Sequence, residues 1–256
     1  MICIIIPTLD RFTSLINTID KLRRFSLNRK FVIAVVVDGN WKMMKRLNLH
    51  WQSGIGRRPE MLMFNDQRIG WGRSINKVMA ETDYDYYMAA SDDLEFLPGT
   101  LSIALEDMNK HFPDGDGVIG FNQANLKHFC PGAFVLVGRK WVDRFPERQM
   151  YFPGYKHFCV DSEHWHYAES EGKFFFSLGA TVVHRRFQDE CHRLAQSSLK
   201  RDRVIWWMKK GNPELYWGNN NDLEYWQSKI NRIIGNGKLQ EYYKKGRKFL
   251  GSGGVT

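Results

Sequence analysis

Cysteine is scarce in this chain of 256 residues: there are four, Cys3, Cys130, Cys159 and Cys191, and no Cys-x-x-Cys pair. That spacing offers neither a zinc knuckle nor a disulfide framework, so free thiols in a reducing compartment are expected. Long hydrophobic runs are missing too. The opening Met1-Ile2-Cys3-Ile4-Ile5-Ile6 is stopped by Pro7, well short of a signal-peptide core or of the ~20 apolar residues that cross a bilayer. A cytoplasmic protein with no transmembrane segment is expected, peripheral membrane contact remaining open. No repeat of fixed period is present, which excludes a solenoid. Acidic residues are outnumbered, 28 Asp and Glu against 37 Lys and Arg, for a net charge of +9. With 43% hydrophobic and 14% aromatic residues, this is no disordered basic tail. The charge sits on a folded body and favours anionic partners: nucleotides, nucleic acid or an acidic membrane face.

What is present is an alternation of short β-rich runs with helical periods, the mark of α/β layering. Ile2–Ile6 and Val32–Val37 read as buried parallel strands because both are continuous and β-branched. Between them Leu15, Ile16, Ile19, Leu22 and Phe25 keep a 3.6-residue spacing. The pattern repeats with a strand at 61–64, a helix at 73–81, a strand at 84–90 and a helix whose first turn suits Pro98. After Pro113-Asp114-Gly115-Asp116-Gly117 the order changes. Strands are expected at 118–121 and 133–137, a helix near 161–171 and a strand ending at Val183, so the second half looks mixed. Beyond His184 the chain turns basic and Trp-rich, with Lys200-Arg201, Trp206-Trp207, Lys209-Lys210, Trp217, Trp226 and Lys244-Lys245-Gly246-Arg247-Lys248. This stretch is a candidate separate module, and 251–256 a frayed end.

In doubly wound sheets ligands bind outside the carboxyl ends of the strands. Here those ends carry Pro7-Thr8-Leu9-Asp10-Arg11, Asp38-Gly39-Asn40 and Ser91-Asp92-Asp93. Asp38-Gly39-Asn40 is also a good turn, and Asp10 a good helix cap. Asp92-Asp93 is different, because adjacent carboxylates repel unless solvent or a cation relieves them. Carboxylate oxygens suit Mg2+ or Mn2+, which in turn hold phosphate.

In order along the chain these residues resemble the family 2 glycosyltransferases with the GT-A fold. The likeness runs from Met1 to about Arg186. Ile4-Ile5-Ile6-Pro7-Thr8-Leu9-Asp10-Arg11 resembles the family's opening strand and turn, with Asp10 where Asn is usual. Val35-Val36-Val37-Asp38-Gly39-Asn40 is similar to its second strand, whose Asp contacts the nucleotide base. Asn65, Gly70 and Asn76 resemble the segment beneath the nucleotide, with Arg73 available to phosphate. Ser91-Asp92-Asp93-Leu94-Glu95-Phe96-Leu97-Pro98 resembles the metal motif, with Ala90 where a further Asp is common. By that likeness Asp93 ligates the metal, Mn2+ or Mg2+, and Asp92 faces the ribose or sugar. Pro131-Gly132-Ala133 is similar to the segment before the acceptor-side strand. Val160-Asp161, followed by Gly172, resembles the Glu-Asp pair and downstream Gly, which makes Asp161 the expected catalytic base; helix capping is its alternative. His184, ending Ala180-Thr181-Val182-Val183, resembles the late His of the metal site.

The resemblance implies a GT-A-like Rossmann-type sheet with helices on both faces, over residues 1–186. Residues 1–115 form the nucleotide-sugar half and 116–186 the acceptor half; residues 187–256 are a helical, basic extension. The implied activity is metal-dependent, inverting transfer from a nucleotide sugar, UDP-sugar favoured, to an acceptor hydroxyl. The donor site is expected to use Pro7, Thr8, Asp10, Arg11, Asp38, Arg73, Asn76, Ser91 and Asp92. A zinc site at His157, Cys159, His164 and His166 is disfavoured, because residues two apart point to different sides of a helix. For the acceptor, basic residues with interleaved Trp suit phosphates and stacked bases, hence a hydroxylated base in DNA. A glycan, a lipid-linked acceptor at an anionic membrane, or a non-catalytic nucleic-acid-binding protein are the alternatives, and the stretch can equally be a solvated basic surface around a Trp-rich core.

Overall fold

The computed structural model describes residues 1–26, 30–124, 130–210 and 212–235, the side chains of 233–235 excepted. The cluster at 244–248 and the terminal 251–256 lie outside the described residues.

Strand β1 (Ile2–Thr8) is buried along its whole length. Its alternate side chains feed two cores. Cys3 and Ile5 join one, Ile2, Ile4 and Ile6 the other. β2 (Phe31–Asp38) pairs with it in parallel, as does β4 (Tyr86–Ala89), and β3 (Met61–Asn65) pairs with β2. Helix α1 (Phe12–Phe25) buries Leu15, Ile19 and Leu22 against one face. α2 (Trp41–Gln52) adds Met43 and Leu47 to the same core, and its amino end is capped by the Asn40 side chain, which accepts from the Met43 N–H. α3 (Trp71–Glu81) covers the opposite face with Ile75, Val78 and Met79.

The second half is mixed, as the sequence pattern implies. β5 (Leu94–Phe96), β6 (Val118–Gln123), β7 (Val135–Gly138) and β8 (Phe174–His184) complete an eight-stranded sheet of order β3-β2-β1-β4-β7-β6-β8-β5. β7 is antiparallel to β4 and β6, β8 parallel to β6, and β5 antiparallel to β8. α4 (Thr100–His111) starts with Gly99 at its cap, so Pro98 lies before the helix and not in its first turn. α5 (Arg139–Val142) and α6 (Val160–Ser170) sit on the α3 side.

The chain then adds α7 (Glu190–Gln196), α8 (Leu199–Lys209) and α9 (Leu223–Gly235). Trp206, Trp217 and Trp226 are buried in the core that also holds Tyr151, Val160 and Tyr167. Lys209 is wholly buried too, its Nζ 2.8 Å from Glu163 Oε1 and over the rings of Phe152 and Trp226. The tryptophan content of this stretch is therefore packing surface. Of the two readings open for this stretch, burial of these three residues favours the Trp-rich core over rings stacked on bases.

Candidate active site

The carboxyl ends of β1, β2 and β4 open on a cleft of about 490 Å3, walled on its other side by residues preceding β7, the amino end of α6, the end of β8 and α7. Asp92 and Asp93 sit on its floor, both buried. Thr8 Oγ1 donates to Asp92 Oδ2 at 2.7 Å. Arg11 places one guanidinium nitrogen between the two carboxylates, 3.2 Å from Asp92 Oδ1 and 2.9 Å from Asp93 Oδ2. Its other side grips Asp189 through two bonds of 2.7 and 3.1 Å, the fork geometry that suits Arg to carboxylates. Burial and the charge of Asp93 push Asp92 up to about 7, against the pull of Arg11 and Thr8. Burial also pushes Asp93 upward, but bonds from His184 and Ser91 together with Arg11 overcome it and hold Asp93 below the usual carboxylate range. The pair thus divides into one carboxyl near neutrality and one firmly ionised.

Register brings His184 here: β5 and β8 pair with Leu94 opposite His184, so the residue before Leu94 meets the end of β8. His184 Nε2 lies 3.4 Å from Asp93 Oδ1, and Ser91 Oγ donates to the same oxygen at 2.5 Å. Adjacent ligand atoms around an ion with ~2.1 Å bonds stand roughly 3 Å apart, so Asp93 and His184 fit one divalent cation as neighbouring donors. Among the described residues no group of three or more His, Cys, Asp or Glu is arranged for a metal. A two-donor site completed by phosphate oxygens and water is the form that a hard cation with a phosphate-bearing substrate takes.

Asp161 faces the cleft from the first turn of α6. It is not the helix cap; that position belongs to Cys159, at φ +65°. Asp161 Oδ1 accepts from the Ser162 N–H at 2.8 Å. Burial raises its pKa despite that bond. Gly132 allows the approach: a Cβ there would stand 2.4 Å from Trp165 Cβ and 3.2 Å from the Asp161 carbonyl oxygen.

Residues 3–162 match the profile described as Glycosyl transferase family 2. The chain belongs to that family. It is a glycosyltransferase, and its sheet is the GT-A form of the Rossmann-type fold. A mannosyltransferase from Pyrobaculum calidifontis, solved with GDP-Man and Mn2+, superposes with a TM-score of 0.62 at 12% identity, over 100% of this chain and 76% of that one. Glucosyl-3-phosphoglycerate synthase from Mycobacterium tuberculosis, solved with Mn2+, UDP and glucosyl-3-phosphoglycerate, gives 0.54 at 12% identity, over 78% and 77%. At such identity the likeness carries the fold alone. No curated protein matches the chain significantly in sequence.

Of the residues anticipated for this glycosyltransferase, Pro7, Thr8, Arg11, Asp38, Ser91, Asp92, Asp93, Asp161 and His184 line one cleft. Asp10, Arg73 and Asn76 do not. Asp10 is exposed, and Asn76 exchanges two bonds with the Tyr151 backbone, at 2.6 and 2.9 Å. Arg73 Nε donates to the Pro153 carbonyl at 2.7 Å. Asp38 lines the cleft with most of its capacity used: Oδ1 accepts from Asn65 Nδ2 and the Ile69 N–H, Oδ2 from the Gly70 N–H. At His164, Trp141 Nε1 donates to Nε2 at 2.9 Å, while His166 stacks on Trp206, so the two rings do serve different sides of α6.

Sequence patterns do not disclose the α7 wall. Phe187, Cys191 and His192 line the cleft there, and Asp189 is tied to Arg11. Nor do they disclose Arg68 and His157, which also line the cleft. Burial first, then the charge of Arg68, lowers the His157 imidazole to about 4. His157 is held by α8: Asp202, fully buried, accepts the backbone N–H groups of Lys156, His157 and Phe158 at 3.1, 2.9 and 2.9 Å.

Proposed function

We propose that the chain transfers a sugar from a nucleotide sugar, UDP-sugar favoured, to an acceptor hydroxyl with inversion at the anomeric carbon. The observation that carries this is the meeting of Asp93, His184 and Asp161, from three separate parts of the chain, in one cleft. Asp93 and His184 would hold Mn2+ or Mg2+, which when bound neutralises charge developing on the departing diphosphate. Pro7 and Thr8 form the floor beneath the nucleotide, and Asp38 offers its remaining Oδ2 lone pair to the base. Ser91 orients Asp93, and Asp92, with Thr8 bonded to it, faces the ribose or sugar. Arg11 steadies both carboxylates and presents positive charge to phosphate. Asn76 and Arg73 act at one remove by fixing the 151–153 backbone, and Asp10 sits at the turn that carries Arg11. Holding the donor in this way makes attack effectively intramolecular. Asp161 accepts the proton from the attacking hydroxyl; its raised pKa brings it closer to the neutral range in which a base is effective.

The division at residue 186 is proposed as one of function: 1–186 holds donor and base, while 187–256 shapes the acceptor side. A hydroxylated base in DNA remains an acceptor candidate on charge alone, since the tryptophans meant to stack are buried. A glycan or lipid-linked acceptor suits the apolar wall of Phe134 and Phe158 in the cleft. The test is incubation with UDP-, GDP- and TDP-sugars plus Mn2+, with NMR of the sugar product. The expected outcome is chelator-sensitive release of nucleoside diphosphate with inverted configuration. No release from any donor, together with tight, salt-sensitive DNA binding, would overturn the reading; a retained configuration would remove the base role of Asp161.

A further inference from the structure

Among the described residues, basic and exposed apolar side chains share a surface on α2 and the turn after it. Between Asp38 and Glu60 the sequence contains Lys42, Lys45, Arg46, Arg57 and Arg58 and no acidic residue. All five are exposed. Met43 and Leu47 turn inward to the core and Met44 packs partly against it, while Trp41, Lys42, Lys45, Arg46 and Leu49 are exposed. Trp41, Lys45 and Leu49, at i, i+4 and i+8, form one outward ridge, with Lys42 and Arg46 on the ridge beside it. Trp41 is 64% exposed and Leu49 58%. The helix ends in a tight turn where Gly54 and Gly56, both at positive φ, flank Ile55, which is 61% exposed. Three large apolar groups held in water contribute little to the stability of a monomer, and basic side chains share their helix and turn.

We propose that α2 and residues 53–58 form a docking surface for an anionic phospholipid bilayer. The chemistry divides between the two kinds of side chain. Lys and Arg are drawn to the negative surface potential, and their stems lie along the interface while their heads stay hydrated. Trp41, Leu49 and Ile55 enter the boundary between headgroups and acyl chains, where an indole sits well with one edge apolar and one polar. A nucleic acid would satisfy the basic side chains and leave Leu49 and Ile55 in water. A second copy of the chain would bring a like-charged patch against this one. The surface begins at the cleft: Trp41 is the first residue of α2, three positions after Asp38, which lines the cleft wall. A docked protein therefore holds the rim of its cleft beside the lipid headgroups. Attachment through a basic amphipathic surface of this kind is to one face of the bilayer and reversible.

The full chain is sedimented with vesicles of phosphatidylcholine alone and with one part in three phosphatidylglycerol. Binding is expected only to the anionic vesicles and is expected to fall as salt is raised. The Lys42→Gln, Lys45→Gln, Arg46→Gln triple variant should lower partitioning by roughly a hundredfold. The Trp41→Ser, Leu49→Ser, Ile55→Ser triple should lower it while leaving the far-ultraviolet circular dichroism unchanged, since none of the three side chains is in the core. Absence of binding to anionic vesicles, or binding that survives both sets of changes, would overturn the proposal. So would DNA retention that the charge variant loses and the apolar variant keeps in the absence of vesicle binding, or a concentration-dependent dimer abolished by the apolar variant. Donor release with Mn2+ is read in parallel on each variant, so a failure here is separable from a failure of the transferase reading.

Discussion

Two groups of carboxylates face one cleft in different electrostatic settings. Asp92 and Asp93 follow β4 with the Arg11 guanidinium between them and Asp189 gripping its far side. Asp161 opens α6 with hydrogen bonds from its neighbour Ser162. Burial is the leading influence at all three, and it raises Asp92 and Asp161. Asp93 alone is held down, because Ser91, Arg11 and His184 all favour its charge. The difference teaches that burial by itself does not decide what a carboxylate does. Surrounded by donors it becomes a fixed anion suited to a cation, and left to desolvation it becomes a group that can take a proton.

The sharpest way to break that division is Asp93→Ala. Turnover of the nucleotide sugar should fall by about a thousandfold or more, as expected when a preorganised electrostatic element is removed, with the circular dichroism spectrum unchanged. Retained turnover would take Asp93 out of the metal site. Asp161→Asn should lower kcat by about a hundred- to ten-thousandfold, the range for a general base, while KM for the donor stays within about twofold. The same variant carries a stability signature. A carboxyl raised on folding contributes stability below its unfolded pKa of about 3.9, and that stability is lost as pH rises through the folded value. Asp161→Asn should therefore melt higher than the parent at neutral pH and equal it in acid; a lower melting temperature at pH 7 would contradict the burial account. The acid limb of the parent's pH–rate profile should correspondingly lie above the ordinary carboxylate range.

Arg11→Gln probes the cation between the pair. Loss of a charged hydrogen-bonding partner is worth about 1.5–3 kcal/mol, so donor KM should rise about ten- to a hundredfold with a smaller change in kcat. The smallest expected effect is Asp189→Asn, which loosens the outer grip on Arg11. Asp189 is 36% exposed in its side chain, so the cost should stay below about 1 kcal/mol, read as a modest fall in melting temperature and faster proteolysis within residues 187–196. An effect as large as that of Arg11→Gln would make the α7 wall part of the donor site and not merely its cover.

Legibility in the sequence follows the range of the interactions. β1 and β2 are readable because Ile2–Ile6 and Val32–Val37 are continuous buried runs, a local property. Asp92 and Asp93 are readable because a strand end places them and their adjacency demands relief. α2 is not, since its buried residues are only Met43 and Leu47 while Trp41 and Leu49 point outward and blur the period. β5, three residues long, exists through its pairing with β8. The Arg11–Asp189 contact joins residues 178 apart, and no local pattern announces it. The Trp-rich stretch is visible as composition, but whether an indole stacks on a ligand or fills a core depends on what it meets. Phe152 and Lys209 decide that for Trp226, and Phe152 with the Gln149 carbonyl decides it for Trp217.

The division of labour in the cleft is tested most directly by one calorimetric titration of nucleotide sugar, with Mn2+ present, into the parent, Asp93→Ala and Asp161→Asn proteins. The expected result is tight binding to the parent and to Asp161→Asn, and loss of binding to Asp93→Ala. Normal binding to Asp93→Ala, or a loss in Asp161→Asn equal to it, would contradict the assignment of cation and proton to separate carboxylates.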